Sequence, residues 1–392
     1  MSAQPGEFSS GPKGNLRGAH SQTVVEAVKS PDTDMVVLRE LPSLRDCEKV
    51  TIVDPICDSQ WDEIVLAHPD CSLFHTSAWA KVLCQTYGHR PLYLKISQSD
   101  GSVALMPLME VASSFTGRRG VCLPFSDFCA PLIVGELGQG SLIETLIKLG
   151  RDRKWRYFEL RGGKEMLPPS VAASERYYGH KLDLTIGAAE LFARFQGSVR
   201  RAIRKGEKSG LVVGASNTRQ AMLNFYKLHV RTRRRHGVPP QPLSFFLNIH
   251  ERIIKAGLGF VVLAQTATKT TAGAVFFFSR HAGLYKFGAS DERDQASRGN
   301  NFVMWEGIKR LISSGVKTLD FGRTAMNDNG LRRFKLSWGT DESIIEYFKF
   351  ALGPNVWVNS CRNARGFSTG LFRRLPLRVN RLAGALVYPH LD

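Results

Sequence analysis

Apolar residues fall into blocks whose spacing changes along the chain. From Leu284 to Phe287 the run is short and aromatic, which favours a strand, and Gly288, Ser290, Asp291 and Gly299 then interrupt it. Phe302, Trp305, Ile308, Leu311 and Ile312 follow at helical spacing, with Asn300 or Asn301 suited to the N-cap and Gly315 to the C-cap. A second strand is predicted over Lys317 to Phe321. Strand, helix and strand at this crossover length predict a βαβ unit. Its right-handed connection brings both strand ends and the helix N-terminus to one edge, a place that suits an anion.

Upstream, Ser77 is placed to cap a helix that turns Trp79, Val82 and Leu83 inward and stops at Gly88 and Pro91. Leu92 to Ile96 and Val103 to Val111, separated by a polar link containing Asp100-Gly101, read as a hairpin. A helix over Ser141 to Leu149 and a strand over Arg156 to Leu160 follow. Later, Met222, Phe225, Tyr226 and Val230 mark a helix that runs into Arg231, Arg233, Arg234 and Arg235 and stops at Gly237, Pro239 and Pro240. Gly259 to Gln265 and Ala272 to Ser279 form another hairpin.

The order helix, hairpin, helix, strand thus occurs twice. WRYFELRGG parallels KTLDFGRT, and YLKISQSDGSVALMPLM parallels VVLAQTATKTTAGAVFFF, both at an offset of about 160 to 170 residues, which predicts a duplicated α/β unit. The expected organisation is a disordered segment over 1–47, rich in Ser, Gly, Pro and Gln, then a first domain over 48–185 and a second over 186–355. A basic amphipathic tail over 356–392 completes the chain, with Arg373, Arg374, Arg378 and Arg381 among Phe372, Leu375, Leu377, Leu382 and Leu386. The tail suits either an anionic membrane surface or packing on the body.

Composition narrows the partners. The 392 residues are 43% hydrophobic, enough for substantial cores, and carry a formal net charge of +18, which suits nucleic acid, anionic lipid or phosphate-bearing small molecules. No run reaches the ~18 apolar residues of a spanning helix and the first residues have no apolar signal core, so a cytoplasmic protein is expected, peripheral on the inner membrane face if the tail binds lipid. Seven cysteines, scattered and without a CxxC pair, are expected to be reduced thiols, with no metal site. No Walker A loop, HExxH, GxSxG elbow or Cys/His nucleophile pattern is present, which excludes the kinase, zinc hydrolase and serine hydrolase readings.

The runs GASDERDQASRGNNFVMWEGIK, LDFGRT and GLRRFKLSWG resemble the FemAB-like branch of the GNAT acyltransferase superfamily, most of all the FemAB-like proteins of exosortase-linked exopolysaccharide clusters. The resemblance implies an α/β (α+β) fold of two tandem GNAT-like domains, each a mixed central sheet flanked by helices. It also implies transfer of an acyl or aminoacyl group to an amine or hydroxyl of a cell-envelope, peptidoglycan or polysaccharide precursor.

By that resemblance Lys335 stabilises charge on the carbonyl oxygen or donor phosphate; on its residues alone it is equally a solvated lysine beside Arg332 and Arg333. Asp320 and Arg323 at a strand end are either catalytic or a structural ion pair. Arg298, Gly299, Asn300 and Asn301 stand where GNAT enzymes cradle the donor, without the glycine-rich form, so acyl-CoA and aminoacyl-tRNA both remain open as donors. Arg233 and Arg234 are assigned to the donor side. Ser126 and Asp127, in the Pro-Phe loop VCLPFSDFCAPL, are assigned to the acceptor with Arg161 and Tyr285, although the loop reads equally as a tight aromatic turn. The rival reading is a non-catalytic RNA-binding or envelope-scaffold protein that keeps the duplicated fold, with tRNA as a partner.

Overall fold

A computed structural model describes residues 39–41, 48–135, 141–359 and 369–392. Most of the segment expected to be disordered, and Cys361 in the tail, lie outside the described residues. Arg39–Leu41 does not follow that expectation: it is a strand, paired antiparallel with Glu48–Val53.

The first half runs β1 (Arg39–Leu41), β2 (Glu48–Val53), α1 (Trp61–Ala67), α2 (Ser77–Tyr87), β3 (Arg90–Pro91), β4 (Tyr93–Gln98) and β5 (Val103–Met106). It continues through β6 (Met109–Ser113), β7 (Gly117–Cys122), β8 (Leu132–Val134), α3 (Ser141–Asp152), β9 (Tyr157–Arg161) and β10 (Glu175–Asp183). The stretch Val103 to Val111 is therefore not one strand. Pro107 lacks the N–H a central ladder needs, and the chain breaks there, sending β5 and β6 into different sheets.

The second half begins with α4 (Ala188–Arg194), α5 (Gly197–Glu207), β11 (Val212–Ser216), α6 (Arg219–Arg235) and α7 (Leu243–Ile249). The strands β12 (Gly259–Gln265), β13 (Thr270–Ser279) and β14 (Ala282–Ser290) lead into α8 (Gly299–Ser313) and β15 (Thr318–Asp320). Then come β16 (Thr324–Ala325), α9 (Asn329–Leu336), β17 (Asp341–Ala351), β18 (Val356–Trp357), α10 (Thr369–Arg374) and α11 (Leu377–Val387). The βαβ unit expected from the spacing is present, with β14 and β15 parallel. Its helix is not capped by Asn300 or Asn301: Arg298 occupies the N-cap in the left-handed region at φ 58°, and Gly315 follows the helix at φ 77°.

A small sheet has the order β1-β2-β4-β5-β8. The large sheet runs β11-β12-β13-β14-β15-β10-β17-β9-β7-β6-β3, with β16 on β10 and β18 on β17. Its centre ignores the division near residue 185. β10 of the first half pairs with β15 of the second (Lys181 opposite Asp320), and β17 of the second pairs with β9 of the first (Tyr347 opposite Arg161). Strands that would otherwise be open edges are covered by each other's half, so one sheet spans both.

Alternation along β13 divides the core. Phe277 faces the aromatic cluster of Trp79, Phe245 and Phe287, whereas Phe276 faces the cluster of Trp305, Ile308 and Leu311 under α8. α8 approaches the sheet at Gly307, where a Cβ would lie 2.3 Å from the Phe276 ring. Gly307→Ala is expected to force that ring or the helix aside and lower stability by about 1–3 kcal/mol in urea unfolding.

Candidate active site

The site begins where two neighbouring strands part. β14 and β15 pair over only three residues each, Ala282 to Leu284 against Thr318 to Asp320. Beyond that point β14 bulges: Val275 pairs with Phe287 and Phe276 with Tyr285, so Lys286 is left out of the register. On the other strand Gly322 turns at φ 72°, and beyond it the chain keeps its pairing with β10, through β16, but none with β14. The two parallel strands diverge there into a cleft between their ends, and a segment of the first half fills it.

The filling segment is the Pro-Phe loop between β7 and β8. The Ser126 hydroxyl donates to the Leu123 carbonyl at 2.7 Å, and buried Arg161, paired with Glu159 at 3.1 Å, donates from Nη1 to the carbonyls of Leu123 and Ser126, both at 2.9 Å. Tyr347 donates its hydroxyl to the Asp127 carbonyl at 2.7 Å and accepts from Arg323 Nη1 at 2.7 Å. These bonds aim the Asp127 carboxylate into the cleft, 2.9 Å from Lys286 Nζ and 3.9 Å from Arg323 Nε. Burial pushes the Asp127 carboxyl up, but the charges of Lys286 and Arg323 outweigh it and hold the group below its usual range. Lys286 also donates to the Phe125 carbonyl at 2.7 Å and lies 5.0 Å over the Phe74 ring; burial pulls its amine down against the attraction of Asp127.

Lys335 closes the cleft from the second half. α9 is capped by Asp328, whose carboxylate accepts from the Leu331 N–H at 2.9 Å, and it carries Lys335 to a position only 2% exposed. The amine is therefore not a solvated surface group. It donates to the carbonyls of Gly322 at 2.6 Å and Arg323 at 3.1 Å, which engages two of its three N–H donors. Burial lowers its pKa from 10.5 to about 8, against the attraction of Asp127 and Asp320.

The Asp320–Arg323 ion pair does not form. Asp320 accepts from the Gly322 N–H at 2.7 Å, and burial raises its carboxyl. Arg323 turns away to Tyr347, to the Tyr177 ring at 4.6 Å and to Asp127. The turn at Gly322 lies between the two residues and, at φ 72°, takes the backbone out of the extended region and sends their side chains apart.

The residues assigned to the donor are spread over several clefts. Arg298 and Asn301 line a cleft of about 440 Å³ between α5, α8 and α9, together with Arg201, Lys205 and Phe334. Arg298 and Asn301 also join Gly299 and Asn300 in a narrower one of about 120 Å³, in which Asn300 Nδ2 donates to Ser290 Oγ at 3.1 Å. Arg234 lines a third, of about 530 Å³, with Arg231, Arg235, Arg293 and Arg373. Arg233 is engaged elsewhere, donating to the Tyr388 hydroxyl at 2.8 Å. Among the acceptor residues, Ser126, Asp127 and Arg161 meet in one loop, Ser126 and Arg161 holding its shape. Tyr285 packs on Phe276 and Phe321 in the other core cluster.

Lys286, Tyr177 and Tyr347 escaped the sequence reading. Lys286 had a signal, as a lone charge inside the aromatic run of β14, where a cation needs a partner from elsewhere in the fold. The two tyrosines had none.

Residues 193–336 match the family model described as an acetyltransferase (GNAT) domain. The match takes in the βαβ unit and Lys335 and leaves the Asp127 loop outside. Among solved structures the chain is similar to FemX, with a TM-score of 0.60 and 16% identity over 77% of this chain and 97% of that one. It is also similar to a tandem GNAT protein from the clavulanic acid biosynthesis pathway, with a TM-score of 0.51 and 8% identity over 79% and 100% of the two chains. These likenesses concern the fold, which is mixed α/β with two GNAT-like halves. No curated protein matches the chain.

The ion pair at the cleft has a measurable signature. Asp127→Asn leaves the Lys286 ammonium buried without its counter-charge and is expected to cost about 3–5 kcal/mol in urea unfolding, with Lys286→Met in the same chain recovering part of the loss. Because the folded carboxyl titrates below its unfolded value, the stabilisation is full above pH ~4 and is lost as pH falls through the folded pKa.

Proposed function

We propose that the protein transfers an acyl or aminoacyl group to an amine or hydroxyl of a cell-envelope, peptidoglycan or exopolysaccharide precursor, with Lys335 holding the developing oxyanion. The observation that carries the reading is the Lys335 amine, buried at the parting of β14 and β15 and pinned by two carbonyls through two of its three donors. A pre-aimed donor in a site from which water is largely excluded needs no reorganisation when charge develops on the substrate.

GNAT domains use acyl-CoA, and the cleft between α5, α8 and α9 fits such a donor: Arg201, Lys205 and Arg298 supply positive charge for its phosphates. The same charge suits the phosphates of an aminoacyl-tRNA. The acceptor approaches from the Asp127 side. Its neutral nucleophile forms a bond to the acyl carbon, the carbonyl π electrons move to oxygen beside Lys335 Nζ, and collapse breaks the C–S bond of a thioester or the C–O bond of an ester. The proton released by the nucleophile leaves with the thiol or hydroxyl product. Asp127, kept ionised by Lys286 and Arg323, orients the nucleophile through a hydrogen bond. Asp320 is the carboxyl better suited to take up a proton, because burial raises its pKa.

The test is transfer to envelope precursors with acyl-CoA and charged tRNA as parallel donors. Lys335→Met is expected to lower the transfer rate roughly 10²- to 10³-fold at unchanged donor affinity. A loss of about twofold or less would remove Lys335 from the chemistry. A steep salt dependence of RNA binding with no turnover on either donor would favour a binding protein instead.

The pH dependence has a defined sign. With hydroxylamine as acceptor, which stays neutral across the range, the rate is expected to fall as pH rises through about 8, where Lys335 loses its proton. Between about 8 and 10.5 the unfolded chain binds more protons than the folded one at this group, so its contribution to stability rises over the same interval.

A further inference from the structure

The C-terminal helix α11 is docked on the body by one face and presents an apolar stripe on the other. Its inner face is fixed at Asn380 and Gly384, where a Cβ on Gly384 would lie 1.9 Å from the Pro240 carbonyl oxygen. Past its end, the Tyr388 hydroxyl donates to the Pro239 carbonyl at 3.2 Å and accepts from Arg233 at 2.8 Å. Arg119 holds the following residues, donating to the His390 carbonyl at 2.8 Å and pairing with Asp392 at 2.6 Å. So anchored, the helix cannot roll its outer face inward. That face carries Val379, Leu382 and Leu386 at i, i+3 and i+7, exposed by 46, 61 and 64%.

A second element adds to the stripe. Phe115, at the tip of the β6–β7 hairpin, is 79% exposed, and its ring lies edge-on to His390 with centroids 4.8 Å apart. Phe115 therefore adds a fourth large apolar side chain, from a separate element, near the end of α11 that carries Leu386. Exposed arginines accompany them: Arg118 beside the hairpin tip, and Arg374 and Arg378 before and within α11. Among the described residues none of these three forms an ion pair.

From this arrangement we propose that the face formed by α11 and the Phe115 hairpin docks on an anionic lipid bilayer. The apolar side chains enter the boundary between headgroups and acyl chains, and the arginines meet lipid phosphates. Charge complementarity selects this occupant. An interfacial helix needs an apolar stripe flanked by uncompensated cations, whereas a protein partner of this chain's own kind would bring more positive charge to the same face. The inference does not depend on the acyl-transfer reading, since it makes no use of the cleft at Lys335.

Vesicle flotation with the full chain tests it at about 0.1 M salt, where charge alone is screened beyond ~10 Å. The protein is expected to float with phosphatidylcholine vesicles containing phosphatidylglycerol and to remain behind with phosphatidylcholine alone. The double variant Leu382→Asp, Leu386→Asp is expected to bind at least roughly tenfold more weakly, with an unchanged thermal melt because both positions are exposed. Leu386→Trp supplies a readout that needs no loss of binding: its added emission should shift to the blue on vesicle addition, relative to the wild-type chain. Equal flotation of the double variant, or flotation of the tryptophan variant without the blue shift, would overturn insertion of the stripe. Retention by an acidic protein or by poly(U) with no flotation on anionic vesicles would overturn the lipid assignment.

Discussion

The ion pair between Asp127 and Lys286 joins the two halves of the molecule at their most demanding point. Each partner lies on an element that would be unstable alone: Lys286 in a bulge of an aromatic strand, Asp127 in a loop whose carbonyls are claimed by Arg161, Lys286 and Tyr347. A lysine amine under the rings of Phe74 and Trp79 is tolerable only with a counter-charge and further hydrogen bonds within reach. The loop supplies both, and Lys286 in return holds it over the gap between β14 and β15. Arg323 and Tyr347 complete the circuit, so the shape of the cleft is maintained by one connected polar network.

The strand exchange at the centre of the large sheet makes that network possible. β10 and β17 cross between the halves, and β17 brings Tyr347 beside Arg161 of β9, within reach of the loop. Two domains joined by a flexible linker would have to find this geometry on each encounter, whereas a continuous ladder sets the loop and α9 in one frame. The match to the GNAT family model ends at residue 336, immediately beyond Lys335, so the cleft is completed by residues on either side of the matched region.

Positive charge is not spread evenly in purpose. Lys335 and Lys286 are buried and tied to carbonyls or a carboxylate, Arg161 and Arg119 brace loops and the C-terminal residues, and Arg201, Lys205, Arg234 and Arg235 line open clefts. Burial decides which cations are structural. A desolvated cation must be paired or hydrogen-bonded to persist, while one facing a cleft keeps its hydration until a ligand replaces it.

Periodicity along the chain determined the βαβ unit, the helix that runs into the arginine cluster, the repeated order of elements and hence the α/β class, because these depend on contacts within a few residues or on one apolar face. The resemblance in GLRRFKLSWG singled out Lys335, and the Pro-Phe loop singled out Asp127. Local pattern could not tell which neighbour each strand takes. It read Val103 to Val111 as one strand where Pro107 divides two sheets, placed the helix cap at Asn300 or Asn301 where the left-handed Arg298 serves, and left open an ion pair between Asp320 and Arg323, which the turn at Gly322 parts. The partners of Lys286, the convergence of Tyr347 and Tyr177 on Arg323, and the docking of α11 through Gly384 were decided only by tertiary structure. The physical reason is common to all of them: a buried charge, or a backbone approach without a Cβ, takes its meaning from atoms more than a hundred residues away or on another element, and such contacts leave no period in the sequence.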